Sequence, residues 1–138
     1  MPFDILIRPL RREDVGAWAE LRRALWPEED PAELEREARE ELAHTDRTSV
    51  FVADVAGGEV VGFVEAALRD VAEGCQSWPV GYVEAWYVAP EFRRAGLGAQ
   101  LLAAAERWAR EKGCSEMGSD ALLSNALIRP AVTPRSSA

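Results

Sequence analysis

The chain of 138 residues is 48% hydrophobic and 29% charged, enough for one domain with a real core. No apolar run approaches the roughly 18 residues that cross a bilayer, and a formal net charge of −8 opposes a nucleic-acid role, which needs a basic face. The start carries Asp4 and no apolar signal core, Cys75 and Cys114 match no metal spacing, and His44 is the single histidine, so a cytoplasmic protein without metal, membrane or disulfide framework is expected.

Asp4 to Arg8 reads as a first strand, stopped by Pro9. Arg12-Glu13-Asp14 offers a helix start, and Val15, Trp18, Leu21, Arg22 and Leu25 recur at helical spacing up to Trp26-Pro27. Asp30-Pro31 predicts a second helix, with Asp30 as its N-cap, running to about Ala43. That helix is rich in acids, from Glu28 to Glu41. They read either as a solvated face or as the acidic wall of a site for a polycation.

Ser49 to Val55 and Glu59 to Leu68 read as a hairpin about Gly57-Gly58. A polar loop follows to Pro79, then a strand from Val80 to Val88. Leu97, Leu101, Leu102, Ala105, Trp108 and Ala109 trace a helical stripe that ends at Gly113. Cys114 to Ser119 is a short strand candidate, and Asp120 to Leu127 resembles the start of a helix. The order predicts a mixed α/β domain: three antiparallel strands leading into a β-α-β crossover. Residues 1–127 form the expected domain. Residues 128–138, with two prolines and no acid, read as a disordered tail.

The informative segment is Arg93-Arg94-Ala95-Gly96-Leu97-Gly98, between a strand and a long helix. Glycines let the backbone turn tightly and approach a ligand. The orphan N–H groups and dipole of the following helix complete an anion cradle suited to a pyrophosphate. No Gly-Lys-Ser/Thr follows, so this is not a P-loop, and Leu101 stands where a dinucleotide fingerprint needs its third glycine.

In context, Val83 to Gly98 resembles the acetyl-CoA signature of the GNAT acetyltransferase superfamily. The chain is similar above all to the aminoglycoside 6′-N-acetyltransferases, over residues 5–127. The pieces are Ile7-Arg8-Pro9 with Asp14, Ala24-Leu25-Trp26-Pro27, Val61 to Arg69, Glu106-Arg107-Trp108-Ala109, Gly118-Ser119-Asp120-Ala121 and Asn125-Ala126. The resemblance implies a GNAT fold, mainly antiparallel with flanking helices, and direct acetyl transfer from acetyl-CoA to an aminoglycoside amine. It implies cofactor contacts at Trp86, Tyr87, Val88, Arg93, Arg94, Gly96, Leu97, Gly98, Ala99 and Asn125. Glu84 matches the family's candidate base and Asp120 a second acid that grips the aminoglycoside. Trp26 and Glu65 lie in segments that line the substrate cleft.

Plainer readings stand beside these. Glu84 can simply occupy a wet strand face, Asp120 can be only an N-cap, and Trp26 can be core. Trp86 and Trp108 read as core, and neither cysteine has a histidine placed to activate it. Family members continue with Ser-His, a Leu-Gly-Phe turn and a closing strand pair, where this chain reads IRPAVTPRSSA. A truncated sheet is therefore expected, as is a homodimer whose partner supplies the missing strands. Two other functions fit this sequence: a GNAT enzyme for a different amine, and an acetyl-CoA-binding remnant without turnover.

Overall fold

A computed structural model describes residues 5–43, 47–55, 58–70, 79–93, 96–115, 117–119 and 131–132. Its strands are β1 (Ile5–Pro9), β2 (Thr48–Val55), β3 (Glu59–Arg69), β4 (Val80–Val88), β5 (Met117–Ser119) and β6 (Ala131–Val132). They form one six-stranded sheet in chain order. Every neighbouring pair is antiparallel except β4 and β5, which run parallel. A parallel pair needs a crossover, and α3 (Leu97–Glu111) supplies it.

Two helices precede the hairpin. A single 3-10 turn at Arg12–Asp14 leads into α1 (Val15–Leu25), and α2 (Pro31–Leu42) follows. Asp30 acts as expected: its Oδ1 accepts from the Ala32 amide at 3.2 Å. None of the described helices is long and apolar enough to cross a membrane. In the segment read as disordered, Ala131–Val132 pairs with Met117–Gly118, so these two residues belong to the sheet. The rest of 128–138 lies outside the described residues, as do His44, Cys75 and the predicted helix 120–127.

The core has two faces. Leu97, Leu101, Ala105 and Trp108 of α3 pack on Val55, Val64, Val83 and Trp86. On the opposite face Trp18 of α1 and Ala38 of α2 meet Val50, Val52, Phe63, Ala85 and Tyr87. Val83 and Trp86 thus share a face although they are three residues apart, which a regular strand forbids. The cause lies in the β3–β4 register. Glu65 pairs with Ala85 but Ala66 pairs with Val83, so Glu84 is the extra residue of a β-bulge.

Charge enters the core in two places. Arg8 is buried and donates to both carboxylate oxygens of Asp14, at 2.7 and 3.1 Å, and to Asp54 at 3.1 Å. These hydrogen bonds hold the Asp14 carboxyl below its ordinary range and raise the Arg8 guanidinium. Arg22, read from its spacing as part of the apolar stripe of α1, is buried and paired with buried Glu65 of β3. Trp18 Nε1 donates to the same Glu65 oxygen at 2.9 Å.

Candidate active site

The site grows from β4 and the turn that follows it. Among the described residues, the β4–β5 ladder runs from Gly81–Met117 to Val83–Ser119 and ends there. Trp86, Tyr87 and Val88 continue β4 past that point while still paired with β3 on the other side. A bulge at Glu84 and the end of a ladder therefore coincide within one residue. The bulge re-aims the Glu84 side chain beside the last described step of that ladder.

Beyond Val88, one 3-10 turn at Pro90–Phe92 brings the chain to Arg93. Arg93 Nε donates to the Val88 carbonyl at 2.7 Å, and its guanidinium lies 5.1 Å from the Tyr87 ring centroid. The arginine thus ties the turn to the strand end while the residue as a whole stays exposed. Gly96 then caps α3 in the left-handed region, at φ +82°, where a side chain is strained. The first helical bond runs from the Gln100 amide to the Gly96 carbonyl. The amides of Leu97, Gly98 and Ala99 hence lack helical acceptors, and no side chain caps them.

Gly98 serves a steric purpose that its spacing did not disclose. A Cβ there would fall 2.4 Å from Cζ2 of Trp86. The indole lies against the first turn of α3 and its Nε1 donates to the Gly98 carbonyl at 3.1 Å. Trp86 thereby locks the helix terminus onto the strand end. Its side chain is core.

The three expected acids are placed differently. Glu84 is half-buried and held by a fork from Arg69, with Nε 3.0 Å and Nη2 2.8 Å from the two carboxylate oxygens. The Arg69 guanidinium stacks 3.7 Å from the Tyr82 ring centroid. Glu65 does not border an open cleft: it is 3% exposed, and its carboxylate is committed to Arg22 and Trp18. Burial makes it a core ion-pair partner instead. Asp120 lies outside the described residues, as do Arg94 and Asn125.

Trp26 ends α1 and packs, half-buried, at the border of the Trp18 cluster. Arg22 lies between the two indoles, 5.3 Å from the ring centroid of Trp18 and 5.0 Å from that of Trp26. Trp26 is therefore partly core and partly accessible. Cys114 is buried, and burial pushes its thiol up, away from the reactive thiolate. Sequence reasoning missed Arg69, Tyr82 and Arg22 as organisers of the acids. The available signal was an arginine on the apolar stripe of α1 and an arginine at the end of β3.

The sequence profile of the acetyltransferase (GNAT) family matches residues 15–126. The chain belongs to the GNAT acetyltransferase family. It is 46% identical to an aminoglycoside N(6′)-acetyltransferase type 1 of Stenotrophomonas maltophilia over 116 residues, 83% of this chain and 73% of that protein. An enzyme of the same name from Klebsiella aerogenes is 40% identical over 123 residues, 88% of this chain and 81% of that one. Among solved structures, aminoglycoside N-acetyltransferase AAC(6′)-Iy in complex with CoA has a TM-score of 0.83 at 34% identity, covering 92% of this chain and 83% of that one. AAC(6′)-Iy with the bisubstrate analogue CoA-S-monomethyl-acetylneamine gives 0.81 at 35% identity, over 89% and 83%. The fold and acetyl-CoA chemistry implied by residues 83–98 are those of this GNAT chain.

Proposed function

We propose that this chain transfers the acetyl group of acetyl-CoA to the 6′-amine of an aminoglycoside. The observation that carries this reading is the strand β4, which holds a half-buried carboxylate at a bulge and ends in a glycine-turned helix cradle. The names of relatives up to 46% identical supply the substrate class.

The free backbone geometry fits the cofactor. The amides of Gly96, Leu97, Gly98 and Ala99 suit its pyrophosphate, with Arg93 at the rim and Arg94 proposed beside it. The continuing strand at Trp86, Tyr87 and Val88 is proposed to run beside the pantetheine arm, with the amides that alternate away from β3 turned to that arm and to the thioester carbonyl. Asn125 is proposed as a further contact to that arm. Bound there, acetyl-CoA supplies an activated acetyl thioester.

The remaining work falls to positioning and proton removal. An alkylamine titrates near 10 and is mostly protonated at neutral pH, yet only its neutral form attacks. Glu84 is the proposed base, taking that proton directly or through one water. Asp120 is the proposed second acid that grips the cationic sugar, and Trp26 the proposed apolar wall. No acyl-enzyme is required, because holding two substrates together supplies the rate. A homodimer belongs to the same reading. It rests on the expectation that a partner supplies strands where the family's closing strand pair would lie.

A thermal melt with and without acetyl-CoA tests the cradle. Ligand at 100 times its Kd stabilises by about 2.7 kcal/mol, so the melt shifts upward. A cooperative melt indifferent to acetyl-CoA overturns the cofactor assignment. Release of CoA thiol on adding kanamycin tests the substrate class, and its absence with a folded, cofactor-binding chain overturns it.

A further inference from the structure

Glu84 already has a cation. Arg69, the last residue of β3, spans both its carboxylate oxygens and rests on the Tyr82 ring. The side chains of the pair are 39% and 32% exposed, so solvent reaches both. The pair sits where β4 bulges, beside the last described step of its ladder with β5.

From this geometry we infer that Arg69 is a resident competitor for the substrate's ammonium group: it occupies the counter-charge position at Glu84 and moves aside when a cationic amine docks. The inference rests on the reading of Glu84 as the base. A bidentate fork takes two of the roughly four acceptor sites on a carboxylate. It also cancels the charge that would attract an amine. A guanidinium is strongly basic and cannot itself be acetylated from this position, so the fork protects the carboxylate without consuming acetyl-CoA. Its partial exposure keeps the pair easy to open, since exposed ion pairs are weak. Stacking on Tyr82 keeps the displaced arginine close enough to return. The arrangement favours amines with several charges, which can displace a cation that a monoamine displaces poorly.

The test is a double-mutant cycle on kanamycin affinity, measured by calorimetry on the CoA-bound protein, together with kcat at saturating acetyl-CoA. Arg69→Ala is expected to tighten kanamycin about two- to fivefold, the scale of an exposed pair. Arg69→Lys, which cannot form the fork, is expected to fall between them. In the Glu84→Gln background, Arg69→Ala is expected to change affinity little, because the contested charge is gone.

Equal tightening in both backgrounds overturns the inference, as it reports only a lost repulsion. An unchanged or weaker affinity in Arg69→Ala also overturns it. So does a fall in kcat that Lys restores, which makes Arg69 an orienting residue. If Glu84→Gln turns over like the parent, the base assignment fails with it. If Glu84→Gln loses turnover and the cycle shows no coupling, the competitor role alone fails. Arg69→Gln replaces the alanine variant if that one lacks a cooperative melt.

Discussion

Two arginine–glutamate pairs lie on adjacent strands of the same sheet, yet they serve opposite ends. Glu65 of β3 and Glu84 of β4 flank one step of the β3–β4 ladder. Glu65 faces α1 and is closed off by Arg22 and the Trp18 indole. Glu84 stands on the bulge, with its side chain a third exposed. The chemistry of the pairs is the same. Burial makes one a fastener between α1 and the sheet and leaves the other able to exchange its partner.

The comparison breaks most visibly at Glu65. Glu65→Gln keeps the shape but removes the buried carboxylate on Arg22, which keeps the more exposed Glu37 at 3.3 Å, so the cost is expected to reach at most about 3–5 kcal/mol, that of a broken buried pair. Urea unfolding checks this, and the surviving folded fraction is expected to keep its kcat. The equivalent change at Glu84 is expected to cost under about 1 kcal/mol of stability, as exposed pairs do.

The next effect sharpens the contrast on the α3 side. Gly98→Ala drives a methyl into Trp86 and is expected to destabilise by about 1–3 kcal/mol through overpacking. It also displaces the helix terminus, so acetyl-CoA stabilises the variant less than the parent in paired melts.

A pH dependence comes from the closed half. The Asp14 carboxyl is lowered in the folded chain by Arg8. Its contribution is complete above the ordinary aspartate value of 3.8 and is lost as pH falls from there through the lowered folded value. Asp14→Asn is expected to lower stability at neutral pH by about 2 kcal/mol and to flatten that acid limb. Unfolding curves from pH 7 down to about pH 3 read both.

Much of this was legible in the sequence, for identifiable reasons. Element order followed from prolines, glycines and periodicity, and the cradle from Gly96, Gly98 and the stripe of α3. The bulge was not legible, because Val83, Ala85 and Trp86 are all apolar and buried and so conceal the switch of face. Glu84 therefore reads in sequence as an ordinary alternating position. The buried Arg22 was present in the helical spacing, but its partner lies 43 residues away in sequence. No local pattern joins those two residues, and without the pairing Glu65 looks like a cleft residue. Gly98 was singled out for ligand approach, whereas its contact with the Trp86 indole is a matter of packing.

The most direct test of Glu84 as the working carboxylate is kcat for kanamycin acetylation by Glu84→Gln and the parent, with melting temperatures measured on the same samples. At least a tenfold fall in kcat is expected, a threshold set below the roughly 10²–10⁴ that a positioned general base supplies, with the melt almost unchanged. A kcat equal to the parent's in a variant that melts normally would contradict it.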